Sequence, residues 1–101
     1  MEFRQLEIFV AVAEERSVVR AAQRVYRTQP AVSMALTKLE EQIGSRLFDR
    51  TPGRRFLLTP TGEALWKYAK RLLDLREEAK RVVHAEVVCT RPTDALQQQH
   101  C

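Results

Sequence analysis

The chain has 101 residues, of which 45% are hydrophobic and 30% charged, a composition that suits one small domain. Its longest apolar run covers residues 8–13, far short of the roughly 20 residues that cross a bilayer, so no membrane partner is predicted. The N-terminus shows no secretory pattern, and we expect a cytoplasmic protein.

Positive charge is concentrated in the middle of the chain. The formal net charge is +4, and residues 16–55 contain nine basic side chains against three acidic ones. A basic block of this density is typical of a nucleic-acid-binding surface. A solvated charged face is the alternative that charge alone leaves open.

Apolar spacing and a capping residue indicate the first two helices. Apolar residues recur at helical spacing over residues 3–15, which predicts an amphipathic first helix. Ser17 is a suitable N-cap for a short second helix that reaches Val25. The small pair at 21–22 would let another helix cross closely.

A third helix is predicted over residues 29–43. Thr28 is its N-cap, Pro30 lies in its first turn, and Gly44 follows as the residue that ends it. Only residues 26–28 separate the second helix from the third, which is the spacing of a helix-turn-helix.

The surface of the third helix is predicted to contact DNA. Its short polar side chains can hydrogen-bond base edges, and Lys38 can reach a phosphate. The side chains away from its apolar stripe are Thr28, Gln29, Ser33, Met34, Thr37 and Lys38. A three-helix bundle with an ordinary solvated face is the alternative.

After the third helix the pattern becomes strand-like. Apolar clusters at 47–48 and 56–58 flank a Pro-Gly turn at 52–53, which predicts a two-stranded hairpin. The arginines near its tip are Arg50, Arg54 and Arg55. Because these arginines repel one another without a polyanion, we favour a hairpin beside the DNA minor groove over a merely solvated one.

A long helix is predicted over residues 60–88, with Thr59 as its N-cap. Apolar residues at alternating spacings of three and four form a heptad seam on it. The seam residues are Leu65, Tyr68, Leu72, Leu75, Ala79 and Val82. At 1.5 Å per residue such a helix is about 37 Å long, too long for one small domain to cover, so part of the seam should meet a second copy of the chain. The alternative is a helix packed wholly on its own domain.

The last part of the chain has no apolar stripe. An Arg-Pro pair at 91–92 ends the helical pattern, and residues 89–101 are predicted to be a disordered tail. Both cysteines are expected to be reduced thiols. The histidines and cysteines lack the close paired spacing of a zinc site, and no nucleophile with a histidine partner or glycine-rich phosphate loop is present. No metal, cofactor or catalytic residue is therefore predicted.

Several short motifs follow one another along most of the chain without gaps. They include MEFRQL (1–6), FVAVAEE (9–15), RAA (20–22), TQPAVS (28–33), LFDR (47–50) and LTPTG (58–62). In this order they resemble the N-terminal winged helix-turn-helix domain of LysR-type transcriptional regulators. The resemblance implies a mainly α fold, with three helices and a β-hairpin wing in residues 1–59 and a linker helix over 60–88.

The resemblance also implies a function. It implies a homodimer that binds a two-fold site in double-stranded DNA through its third helices and regulates transcription, with RNA polymerase as a candidate partner. The residues that would touch DNA match Gln29, Pro30, Ser33 and Lys38, together with the wing arginines. Because winged helices can also bind proteins, a protein-interaction module is the alternative function.

Three features depart from the family pattern. Arg27 stands where an apolar residue is usual, and Met34 stands where a polar or basic residue is common. An apolar side chain at position 34 suits contact with a thymine methyl group. The effector-binding domain that follows in family members is absent from this sequence, so no inducer site is assigned.

Overall fold

The computed structural model describes residues 1–89 and places four helices in them. Their bounds are Phe3–Glu15 for α1, Val18–Arg24 for α2, Gln29–Ile43 for α3 and Pro60–Cys89 for α4. The predicted bounds of the first and third helices are confirmed, and α4 begins where the sequence indicated. Cys89, the first residue of the predicted tail, belongs to α4, and the rest of that tail lies outside the described residues.

Local caps fix the helix ends. The Ser17 hydroxyl accepts a hydrogen bond from the Arg20 amide at 3.1 Å, and the Thr28 hydroxyl accepts one from the Ala31 amide at 3.2 Å. Gly44 ends α3 with a φ of 81°, a left-handed conformation that glycine adopts without strain. Both N-caps and the C-terminal glycine were predicted, since each depends on residues close in sequence.

The core lies between α1 and the two helices that follow it. Helix α1 buries Phe9 and Val12 completely, and the small side chains at 21–22 are buried where α2 packs on α1. Helix α3 contributes three buried residues, Val32, Leu36 and Leu39, at helical spacing. Because this stripe faces the core, the opposite side of α3 faces solvent, and the candidate site lies on that side.

Ion pairs join α2 and α4 to the end of α1. The Glu14 carboxylate lies 2.8 Å from Arg24 Nη2 and 3.1 Å from Lys70 Nζ. Burial alone would raise the pKa of Glu14, but the hydrogen bonds from Arg24 and Lys70 outweigh it and leave that pKa below its ordinary value. Glu14 thereby ties α1 both to α2, the first helix of the helix-turn-helix, and to α4.

Only the first half of α4 packs on the domain. Ala69 is fully buried against the core, and Arg76 pairs with Glu7 and lies over the Phe3 ring at 5.3 Å from its centroid. Beyond this point every side chain from 77 to 88 is exposed. The second half of α4 therefore extends away from the domain.

Residues 47–58 form a loop with a single antiparallel bridge. Within the described part of the chain, bridge pairing is limited to Phe48 and Leu58, and the Asp49 amide donates to the Leu57 carbonyl at 2.7 Å. The predicted two-stranded hairpin is not confirmed. We call residues 49–57 the wing loop.

Backbone conformation explains why strand pairing stops at this bridge. Gly53 and Phe56 have positive φ values of 84° and 65°, which take the chain out of the extended conformation. Pro52 has no N–H to donate to a strand partner. A turn closes instead, in which the Arg54 amide donates to the Thr51 carbonyl at 2.9 Å.

Three further features of residues 1–89 bear on function. None of their helices combines the length and hydrophobicity of a bilayer span, and they contain no cluster of metal-binding side chains. Cys89 is disulfide-bonded, so the prediction of a reduced thiol is wrong at this position. Cys101 lies outside the described residues.

Candidate nucleic-acid interface

The solvent-facing side of α3 gathers all the residues predicted to contact DNA from this helix. Because the buried stripe takes the opposite side, the N-cap and the six helical residues predicted to contact DNA are all exposed. They are Thr28, Gln29, Pro30, Ser33, Met34, Thr37 and Lys38. Their placement agrees with the prediction, and their contact with DNA stays a prediction.

Two side chains at the centre of this surface have contrasting chemistry. The Thr37 hydroxyl donates to the Ser33 carbonyl at 3.0 Å, which leaves its oxygen lone pairs free to accept from a base edge. Met34 is 60% exposed between polar neighbours. An apolar side chain so placed gains from contact with an apolar group such as a thymine methyl.

A groove separates α3 from the wing loop. Its volume is about 410 Å³, with Ser33 and Thr37 on one wall and Arg50 and Arg55 on the other. A second groove continues from Arg55 to Gln29 at the start of α3. Polar residues of the helix and arginines of the loop, distant in sequence, thus face each other.

The three loop arginines have different surroundings. Arg50 Nη2 lies 2.9 Å from a carboxylate oxygen of Glu40, and the arginine side chain remains 60% exposed. The Arg55 guanidinium lies 5.3 Å from the centroid of the Phe56 ring, a cation–π contact. Arg54 is exposed at the turn.

Carboxylates also lie among these arginines. Asp49 Oδ1 accepts from the Thr51 amide at 2.8 Å, and this bond, the Thr51 hydroxyl and the charge of Arg54 lower the pKa of Asp49. Together with Glu40, this carboxylate offsets part of the repulsion among the three arginines. From the sequence, only a polyanion such as DNA was expected to offset that repulsion. The arginine cluster by itself is therefore a weaker indication of a polyanion than expected.

An aromatic series fastens the wing loop to the core. The Phe56 and Phe48 rings meet edge to face with centroids 6.1 Å apart, and Phe48 lies 5.5 Å from the fully buried Phe9. Aromatic pairs in this distance range stabilise beyond simple burial. Phe56 was not predictable as an anchor, because no local sequence pattern signals its positive φ.

Glu40 was also missed. It follows Leu36 by four residues and so lies beside the apolar stripe of α3, where an acidic residue is unusual. An acidic residue at that position was the signal in the sequence that could have identified Glu40. Its partners, Leu47 and Arg50, could not be identified from helical spacing because they lie beyond the end of α3.

The heptad seam lies beside the packed face of α4 and overlaps it at Leu65. Trp66, Ala69 and Leu73, which are not seam residues, pack on the domain. Of the seam residues, Leu65 is half-buried against the core and the others are exposed. The exposed ones are Tyr68, Leu72, Leu75, Ala79 and Val82.

Comparison with known sequences identifies similar proteins. A family model described as "Bacterial regulatory helix-turn-helix protein, lysR family" matches residues 3–63. The probable RuBisCO transcriptional regulator of Cyanidioschyzon merolae is 46% identical over 79 residues, which is 78% of this chain and 26% of that protein. The HTH-type transcriptional regulator CfxR of Cupriavidus necator is 42% identical over 85 residues, or 84% of this chain and 26% of that protein. The chain thus spans about a quarter of the length of these two relatives.

Solved structures show the same fold. The DNA-binding domain of BenM in complex with catB site 1 DNA matches with a TM-score of 0.79 and 34% identity, covering 84% of this chain and 94% of that one. The DNA-binding domain of CbnR in complex with DNA matches with a TM-score of 0.76 and 36% identity, covering 84% and 97%.

Proposed function

The chain belongs to the lysR family of bacterial regulatory helix-turn-helix proteins, and we propose that it binds a two-fold site in double-stranded DNA as a homodimer and regulates transcription. One observation carries the proposal most directly: the exposed polar side of α3 faces Arg50 and Arg55 of the wing loop across one groove. This arrangement joins hydrogen-bonding groups for bases with cations for phosphates.

In the proposed complex, affinity and sequence preference come from different residues. Lys38 and the three wing-loop arginines bind phosphates, which supplies most of the affinity and makes it dependent on salt. Gln29, Ser33 and Thr37 contact base edges, and Met34 contacts a thymine methyl group. Thr28 and Pro30 bring the start of α3 close to the DNA backbone.

The dimer is proposed to form through α4. Tyr68, Leu72, Leu75 and Val82 are between 39% and 60% exposed, a large apolar surface for a single helix. Pairing two such helices would bury the seam, and binding successive major grooves of a two-fold site would require the two α3 helices to lie about 34 Å apart, one turn of DNA. The proposal places the protein in the cytoplasm, gives it no catalytic role, and leaves RNA polymerase as its candidate protein partner.

Replacing Leu72 with Glu tests the dimer. Because like charges would then face each other across the seam, we expect monomers in sedimentation and much weaker binding to a two-fold site. Glu78→Gln, an exposed change farther along the helix, serves as the control and should remain dimeric. If Leu72→Glu sediments as an unchanged dimer, the interface lies elsewhere.

Fluorescence anisotropy over a salt series tests DNA binding itself. The probes are the duplex upstream of the protein's own gene and a scrambled duplex of equal composition, followed by duplexes selected from a random pool. A preference of about 10³ or more that survives physiological salt is expected for a specific reader. Failure to bind any duplex at low salt would contradict the proposal. Strong dimerisation with only weak duplex binding would favour a protein-interaction module instead.

A further inference from the structure

Glu40 is an acidic residue on the wall of the basic groove. It lies on α3, and its side chain is only 12% exposed, whereas that of its ion-pair partner Arg50 is 60% exposed. Ser33 and Thr37, two of the proposed base-reading residues, line the same groove. A mostly buried carboxylate at the edge of an anion-binding surface opposes DNA binding by its charge, so its presence calls for a specific role.

The two oxygens of Glu40 have different partners. Oε2 accepts a hydrogen bond from the Leu47 amide at 2.8 Å, and Oε1 accepts one from Arg50 Nη2 at 2.9 Å. Leu47 is itself fully buried, and its carbonyl accepts from the Thr59 amide at 3.0 Å. One oxygen is therefore fixed to the base of the loop, and the other holds the arginine.

This geometry restrains the direction of the Arg50 guanidinium. The group is planar and has five N–H donors in a fixed arrangement, so holding one amino group orients the others. Only Nη2 is engaged by Glu40, and most of the side chain stays exposed beside the groove. The remaining donors are available to a phosphate.

We infer that Glu40 is a positioning residue, which holds Arg50 toward the phosphate that flanks the bases contacted by Ser33 and Thr37. The inference rests on the proposed DNA binding. It predicts that Glu40 increases the preference for a selected duplex over a scrambled one, although its negative charge repels the phosphates of both.

Glu40→Gln tests this role while preserving the fold. The amide oxygen of glutamine can still accept from the Leu47 amide, but its NH2 group then faces Arg50 and cannot hold it. Glu41→Gln is the matched control, because it makes the same charge change at the next residue of α3, which is exposed. Arg50→Gln and the Glu40→Gln/Arg50→Gln pair complete the set.

The measurement compares affinity for a duplex selected by the unaltered protein with affinity for a scrambled duplex. We expect Glu40→Gln to reduce the preference by about five- to tenfold, and to reduce it no further once Arg50 is replaced. Glu41→Gln should keep the preference. A loss from Glu40→Gln that persists undiminished in the Arg50→Gln background, or no loss at all, would overturn the inference.

A measurement without DNA separates this inference from the proposed function. In ¹⁵N relaxation, the Arg50 side-chain N–H should be restrained in the unaltered protein and in Glu41→Gln, and mobile in Glu40→Gln. A mobile Arg50 in the unaltered protein would overturn the positioning role. If Arg50 is restrained but the unaltered protein binds no duplex, the proposed function fails while the restraint itself stands.

Discussion

Helix α3 and the wing loop line one groove, but different kinds of interaction hold them in place. The position of α3 is set by a hydroxyl cap at Thr28, a glycine at its end and a regular buried stripe. The loop has only one bridge pair, and side chains fasten it: Phe56 packs toward the core and Arg50 pairs with α3. The two halves of the proposed interface should therefore respond differently to the same type of substitution.

The base of the loop should be the most sensitive point. A Cβ at Gly62 would stand 2.1 Å from the Leu47 carbonyl oxygen, which belongs to the backbone and cannot move aside easily. We expect Gly62→Ala to lower the free energy of unfolding by about 3 kcal/mol, measured by urea denaturation. Gly53→Ala is the control. A Cβ at this position would meet no atom within 4 Å, but the φ of 84° is strained for alanine. This substitution should therefore lower the free energy of unfolding by about 1 kcal/mol. Equal losses would contradict this explanation.

Loss of the aromatic anchor should have the next largest effect. Phe56 is half-buried and contacts Phe48, so we expect Phe56→Ala to cost about 2 kcal/mol in thermal or urea unfolding. Met34→Ala truncates an exposed residue of α3 and should change stability by less than about 0.5 kcal/mol.

Phe56→Gly separates the ring from the backbone. Glycine removes the ring but also relieves the positive φ of 65°, so this variant should be more stable than Phe56→Ala by about 1 kcal/mol. If alanine proves the more stable replacement, the left-handed conformation at this position is not a source of strain.

The contrast between the two regions explains how far the sequence could predict them. The caps of α2 and α3 join residues three apart, so local sequence contained the whole interaction. The contact of Phe48 with Phe9 joins residues that are far apart in the sequence. A non-glycine residue with positive φ, such as Phe56, leaves no local signal, and the strand-like apolar spacing around it favoured a two-stranded hairpin, of which the structure shows one antiparallel bridge.

Helix α4 shows a related limit. Its length and apolar spacing were predictable because both depend only on helical periodicity. The sequence could not predict which apolar residues of α4 pack on the domain. Ala69 and Leu72 both fit the helical spacing of apolar residues, and only the position of α1 distinguishes them.

Substitutions in the wing loop and in α3 should also have different effects on DNA binding. Because Arg54 is exposed on the loop and proposed to contact phosphate, Arg54→Ala should weaken all duplexes alike, by about fivefold, and reduce the salt slope by about 0.9. Ser33→Ala on α3 should instead change which duplexes are preferred and leave the slope unchanged. Anisotropy titrations at several salt concentrations measure both quantities. If Arg54→Ala alters neither affinity nor slope, the loop does not bind phosphate.

The smallest expected difference concerns pH. The turn at the start of the wing loop is held by a carboxylate, Asp49, which accepts from the Thr51 amide, whereas α3 begins with the hydroxyl of Thr28, which accepts from the Ala31 amide. The hydrogen bond from Thr51 lowers the pKa of Asp49 below its ordinary 3.8. Since the folded-state pKa is the lower one, the contribution of Asp49 to stability is present above pH 3.8 and is lost as the pH falls through the folded-state value.

In an NMR titration the Thr51 amide shift should therefore move with a midpoint below 3.8, while the Ala31 amide shift at the α3 cap should not titrate with it. Asp49→Asn keeps an oxygen acceptor for the Thr51 amide but cannot ionise, so it should abolish the transition at that amide and leave Ala31 unaffected. A midpoint at or above 3.8 would mean that the Thr51 bond does not favour the charged carboxylate. The charge of Asp49 would then not stabilise the turn, and the side-chain fastening of the loop would depend on its aromatic and arginine contacts alone.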